Sequence, residues 1–419
     1  MITQLINDLF EEKHVIDHRL PYLSFEVASY NVDVFAPVPL YFVQAFSIIL
    51  FQMACCCLLS VVMYWGIVRN QKLRTTSTQG VLVGYGLVIP LSLWIPFQVI
   101  NWLDIRNVGY RLGFGCLPLT MTLCCLEAMH GCDVPPSATE SLFGYILHTG
   151  FILRPKYDDK GRLVKSTRES FSATNRMHFI GVGIFALLFH LAEPFDFSPF
   201  PSSRPSNEIF VTFELGQMNN TFTQALMLNM TLFFSMYGIS ALGSVLTGFQ
   251  FHDTITSNPM FVSSSPSDFW GRRWNNLIHS GLKQGVYKPV RWNTGNKHLA
   301  AFAAFFASGI IHEYMWALWF FNTDAEMADP DCTTCHHVIH GKQLLFFGWN
   351  GILIVLEYLL GERLAFLKAI FPRLVTSHLV VLLSLPVGHL FAGDMTLSGY
   401  FKHFQVCLPL IKATPIAIA

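Results

Sequence analysis

Charged side chains are absent from two long stretches of the chain, residues 34 to 68 and residues 215 to 252. A bilayer core about 30 Å thick needs roughly 20 apolar residues on a helix, so each stretch holds one full crossing. Residues 75 to 103 form a third, and Pro90 and Pro96 inside it predict a kinked helix whose freed backbone groups are satisfied by neighbours. Shorter apolar runs at 109 to 128, 177 to 193, 298 to 321, 343 to 361 and 374 to 393 bring the expected crossings to eight. Three of these runs carry Glu127, His312 or Glu357, ionisable groups that in lipid must face protein or a wet cavity. The segment 141 to 153 is too short to cross, and its pattern leaves open whether it is re-entrant or interfacial.

The polar stretches between the runs fix an orientation. Counted on alternate sides, 19 of the 27 Lys and Arg residues fall on one face and 8 on the other, and the excess belongs to the cytoplasm. Both termini are then non-cytoplasmic. The expected organisation is an N-terminal segment over 1 to 33, a membrane-embedded domain over 34 to 393 with cytoplasmic loops near 129 to 176 and 250 to 297, and a C-terminal tail over 394 to 419. The first 33 residues lack a basic start followed by a short apolar run, so the first crossing is expected to act as the signal anchor. Composition agrees: 52% of residues are hydrophobic and only 13% charged, against about 25% charged in soluble domains. The formal charge is zero, so net charge points to no nucleic acid. The predicted fold class is an all-α integral membrane bundle of about eight helices.

Chemistry in such a chain shows as polar groups set inside apolar helices. In AAFFASGIIHEYMWALWFF, His312 lies near the middle of a crossing. Its helical neighbours are Ser308 and Gly309 on one side and Met315 and Trp316 on the other. The small residues permit another backbone or a substrate chain to come close, and a His takes a proton near neutral pH. From this segment alone two readings stand, a functional base or a histidine that only bonds to another helix. Glu313 points to a different face, which makes it no obvious orienting partner, and Trp316 in place of a second His excludes the His-Glu-x-x-His zinc site. Upstream, DFWGRRWNNLIHSGLKQGVYKPVR interleaves Phe269, Trp270, Arg272, Arg273 and Trp274 with Lys283, Lys288 and Arg291. Arginines there suit phosphate oxygens, and the plainer alternative is a juxtamembrane anchor on anionic lipid.

Taken in order, FWGRRWN at 269 to 275 and SGIIHE at 308 to 313 resemble the membrane-bound O-acyltransferase family, in detail its wax synthase branch, over about residues 265 to 320. In the sterol and diacylglycerol branches the first element reads FYxDWWN. Phe269, Trp274 and Asn275 match it, while Trp270, Arg272 and Arg273 depart from it, which favours the wax synthase branch and carries no Asp role over. The resemblance implies a bundle of that family's fold, a cytosolic acyl-CoA donor, a long-chain alcohol or other lipid acceptor from the bilayer, and location in the endoplasmic reticulum. It implies His312 as general base and Asn275 as its polar partner, with Phe269, Trp270, Arg272, Arg273, Trp274, Ser308, Gly309 and Trp316 as substrate contacts. No cofactor or metal is required. Diacylglycerol, a sterol, or a hydroxylated metabolite taking acetyl-CoA are the other acceptors within the family, and a transporter is the rival of another class.

Weaker patterns remain. His389 to Asp394 has the H-x-x-x-x-D spacing of glycerophosphate acyltransferases, in a chain with 16 His. Cys332-Thr-Thr-Cys335-His336 has the spacing of a haem attachment and, with His337 and His340, of a metal cluster, although a Cys332 to Cys335 disulfide is the simpler expectation on the non-cytoplasmic side. No G-x-S-x-G elbow and no P-loop occurs, which argues against a lipase or an ATP-driven pump.

Overall fold

Pro39–Gly66 winds as helix α1, followed by α2 (Thr78–Trp102), α3 (Val108–His130), α4 (Arg168–Ala192), α5 (Leu215–Thr247), α6 (Lys297–Trp319) and α7 (Lys342–Ile370). The last apolar run is a bent pair, α8 (Arg373–Ser384) and α9 (His389–Leu397), turned by 66°. This computed structural model describes residues 21–70, 77–130, 134–203, 209–253, 256–330, 332 and 335–415. Among those residues seven helices are long and apolar enough to cross a membrane, or eight if the bent pair is one span. The chain is an all-α, multi-span bundle.

Local chemistry explains where the helices differ from their apolar runs. α4 begins at Arg168 rather than 177 because Thr167 and Ser170 form a capping box, which satisfies the first orphan amides inside the expected cytoplasmic loop. α2 is broken as its prolines require: a π-helical turn over Gly84–Val88 precedes Pro90, and Pro96 sits inside the final stretch. The segment 141 to 153 holds a short helix, Leu142–Thr149, started by the Ser141 side chain.

A three-stranded antiparallel sheet, absent from the sequence expectation, joins the two ends of the described chain. β1 (Leu23–Val27) pairs with β2 (Tyr30–Phe35), and β2 pairs with β3 (Leu410–Pro415) from Tyr30 opposite Pro415 to Phe35 opposite Leu410. Residues 1 to 20 of the expected N-terminal segment and 416 to 419 of the tail lie outside the described residues.

The core joins α4, α5, α6 and α9 through Phe185, Phe189, Met227, Phe234, Trp316, Trp319 and Met395. α6 shows the division of faces most clearly. Phe302, Phe306 and Ile310, four residues apart, are exposed and suit lipid, while Ala301, Ala304, Ser308 and His312 look inward. Several ionisable groups inside the bundle are partnered, as burial in lipid favours. Glu127 of α3 pairs with Arg154, Arg111 with Glu326 at 2.6 Å, and Lys342 with Asp394 at 3.1 Å. The Glu357 carboxylate accepts hydrogen bonds from the Ser267 amide at 2.7 Å and hydroxyl at 2.8 Å.

The expected cytoplasmic loop near 250 to 297 holds packed helix between residues 259 and 294. Short helices at Pro266–Asp268, Asn276–Leu282 and Lys288–Thr294 alternate with π-helical turns at Phe269–Arg273 and Lys283–Tyr287. Gly281 and Gly285 let this segment lie on α3: a Cβ on Gly281 would come within 2.7 Å of Leu123 Cδ1, and one on Gly285 within 2.9 Å of Leu126 Cβ.

Candidate active site

Phe269–Arg273 winds as a π turn closed by the Trp274 amide on the Phe269 carbonyl at 2.9 Å. The wider turn sends its side chains in distinct directions. Phe269 stacks on Trp274 with ring centroids 5.5 Å apart. The Trp270 indole donates to Asn350 Oδ1 of α7 at 3.1 Å. Arg273 turns back to Asp268, its Nε 2.8 Å from Oδ2, and donates to the Ser257 carbonyl at 3.2 Å. Arg272 is exposed and makes no hydrogen bond or ion pair to a described residue.

Asn275 caps the helix Asn276–Leu282, its Oδ1 accepting from the Ile278 amide at 3.2 Å. That bond commits the carbonyl end of the side chain and leaves Nδ2 as the uncommitted donor. On α6, His312 Nδ1 donates to the Ser308 carbonyl one turn back at 2.7 Å. The neutral imidazole is then the tautomer with its lone pair on Nε2, which bonds to no described residue. Phe347 of α7 covers the ring at 4.3 Å between centroids, and Phe391 flanks it at 5.6 Å.

These groups surround one cavity of about 570 Å³. Trp270, Arg272, Trp274, Asn275, Ser308 and His312 all line it, with exposed Arg272 and Lys283 at its open end. A second, apolar cavity of about 60 Å³ lies behind Trp270, Trp274 and Phe347, which line both.

Four of the residues expected to contact substrate lie off the larger cavity. Phe269 lines only the smaller one, and Arg273 is held by Asp268. Gly309 is a contact with α7, where a Cβ would stand 3.1 Å from Leu344 Cα. Trp316 is fully buried, packed between Phe391 and Trp319 at 4.7 Å from each. Sequence reasoning passed over His279, which lines the cavity beside Lys283. Burial, and then the Lys283 charge, push its imidazole below the ordinary value, so it stays neutral. Its only signal in the sequence was its place four residues after Asn275, on the same face of a helix that composition did not announce.

The weaker patterns resolve differently. His389 stacks on Phe210 at 4.6 Å, while Asp394 bonds to Lys342 and to His336 Nε2 at 3.2 Å, so the H-x-x-x-x-D spacing makes no dyad. Cys332 and Cys335 form a disulfide.

Comparison with known proteins bears on the same segment. Residues 255–328 match the membrane bound O-acyl transferase family. The chain is 32% identical over 137 residues to probable long-chain-alcohol O-fatty-acyltransferase 9 of Arabidopsis thaliana, 30% of this chain and 36% of the relative. It is 29% identical over 156 residues to probable long-chain-alcohol O-fatty-acyltransferase 8 of that plant, 35% of this chain and 38% of the relative. To its acyl-CoA–sterol O-acyltransferase 1 it is 38% identical over 94 residues, 18% of this chain and 26% of the relative. The chain thus spans about a third of the length of the first two relatives and about a quarter of the third. The family match at residues 255–328 holds both sequence elements, and the resemblance to the wax synthase branch is shown by the long-chain-alcohol O-fatty-acyltransferase relatives.

Proposed function

We propose that the chain is an acyl-CoA-dependent O-acyltransferase that esterifies a long-chain alcohol in the endoplasmic reticulum membrane. The observation that carries this reading is one cavity lined by an imidazole with a fixed Nδ1 proton, a helix-capping Asn with an uncommitted amide donor, and two exposed cations. In the reaction, His312 Nε2 takes the acceptor hydroxyl proton as the oxygen attacks the thioester carbonyl. The tetrahedral oxyanion receives a hydrogen bond from Asn275 Nδ2, a contact worth about 10² in rate where such donors have been removed. Collapse expels the CoA thiolate, which recovers the proton from the His312 imidazolium, so no net proton is produced. Arg272 and Lys283 hold CoA phosphates at the cytoplasmic opening.

The 38% identity to a sterol acyltransferase favours a sterol as the second reading of the acceptor. Microsomes from a host without neutral-lipid synthesis, expressing the chain and fed labelled palmitoyl-CoA, test both readings. Wax ester from hexadecanol, in excess over ester from diacylglycerol or sterol, is the expected product. A preference for sterol would support the second reading, and no ester with any acceptor or with acetyl-CoA would contradict the proposal.

A further inference from the structure

Glu313, next to His312 in the chain, takes its carboxylate hydrogen bonds from the next helix rather than from that histidine. Oε1 accepts from the Gln343 amide at 2.8 Å and from the Leu344 amide at 3.1 Å, both in the first turn of α7. Two amides that a helix start leaves without intrahelical partners are thereby satisfied by a charged acceptor. The charge also sits at the positive end of a 29-residue helix dipole. Its second oxygen, Oε2, faces His340 Nδ1 at 3.7 Å. Beside this bond, Gly309 of α6 abuts Leu344 of α7 backbone to side. Glu313 and Gly309 together fix where α7 starts against α6.

The register set there reaches the cavity. Gln343, Phe347 and Asn350 are spaced i, i+4 and i+7, on one face of α7. Phe347 covers the His312 ring, and Asn350 holds the Trp270 indole while accepting a second bond from Ser384 Oγ at 2.6 Å. A slip of α7 by one residue moves both by about 1.5 Å along the helix.

We infer that Glu313 is a positioning residue that clamps the start of α7 by accepting two backbone hydrogen bonds, and so sets Phe347 against His312 and Asn350 against Trp270. The inference rests on the proposed acyl transfer only for its effect on turnover; the clamp itself is read independently. It requires an acceptor at Glu313 with the reach of a glutamate and does not require the negative charge.

The test uses the full chain in membranes. A Cβ on Gly351 of α7 would lie 3.0 Å from Phe305 Cβ of α6, so Phe305→Cys with Gly351→Cys can be joined by a disulfide once the helices part by about 0.5 Å, and the bridge reports the register of the two helices. Cross-linking, measured by mass spectrometry of the joined peptides, is expected to persist with Glu313→Gln and to fall severalfold with Glu313→Ala. Should Glu313→Ala not be recovered in membranes, Glu313→Asp, one methylene shorter, takes its place with the same expectation. In the chain with native Phe305 and Gly351, ester formation should follow the same order. Glu313→Gln stays near the native rate, and the shorter variant loses about 10²-fold in kcat with KM for acyl-CoA little changed, the scale of a 1 Å misplacement. Cross-linking that is unchanged without the acceptor, or lost in Glu313→Gln, overturns the inference. Absence of ester from the native chain, with the cross-linking order intact, would remove the proposed reaction and leave the clamp standing.

Discussion

Arg272 and Arg273 are adjacent and chemically identical in the sequence, and the structure gives them different work. Arg273 is tied to Asp268 and the Ser257 carbonyl, whereas Arg272 stands exposed at the cavity opening. Arg272→Ala is therefore expected to raise KM for acyl-CoA severalfold, with a reduced dependence on salt, and to leave thermal stability near native. Arg273→Ala leaves Asp268 without its cation and should lower stability by about 3 kcal/mol, measured by thermal unfolding in detergent. Asp268 adds a dependence on pH. Burial raises its carboxyl, but hydrogen bonds from Arg273 and Ser264 more than offset that and hold it below the ordinary value. The unfolded chain then binds the proton more readily, so the stabilisation is present above the usual carboxylate range and is lost as pH falls through the lowered value. Thermal unfolding between pH 6 and pH 3 should fall less steeply for Asp268→Asn than for the native chain. The identities of His312, Asn275 and Arg272 were legible because the motif quotes them. The division of labour between the arginines was not, because it depends on a π turn that no periodicity announces.

At the scale of elements, the long helices were readable and the short ones were not. A crossing needs some 20 apolar residues, a signal that survives any packing, and the runs found in the sequence correspond to α1 through α9. The helices between 259 and 294 are three to seven residues long, interrupted by Pro266 and Pro289 and joined by π turns, so they present neither helical period nor apolar length. Their order comes from docking on α3, where Gly281 leaves room for Leu123. Gly281→Val should overfill that contact at a cost of about 1–3 kcal/mol and displace Asn275 and His279 together. Ester formation would then fall with both acyl-CoA and acceptor at saturation, while Gly183→Ala, on the exposed face of α4 with open space around it, serves as the control with native turnover.

At the scale of the whole molecule, the small sheet constrains topology. β2 ends just before α1 begins, and β3 follows α9, so their pairing places both flanks of the bundle on one side of the membrane. An even number of crossings would follow, which the seven long helices satisfy only if α8 and α9 together make the eighth. The strands escaped sequence reading because five or six residues of weak alternation carry little signal beside such apolar runs. The Lys and Arg asymmetry leads to the expectation that both flanks lie on one face and the cavity end at Arg272 and Lys283 on the other, which accessibility labelling of single cysteines at those sites would test. A donor from the cytoplasm and an acceptor from the bilayer would then meet at His312. That meeting is tested most directly by palmitoyl transfer to hexadecanol in microsomes carrying equal amounts of the native chain, His312→Ala or Asn275→Asp. The aspartate keeps the helix cap and replaces the amide donor by a carboxylate, which removes the hydrogen bond and adds a like charge beside the oxyanion. Native membranes should form wax ester, Asn275→Asp about 10²-fold less at saturating substrates, and His312→Ala between about 10²- and 10⁴-fold less. Equal rates from native and His312→Ala membranes would contradict the assignment of the base.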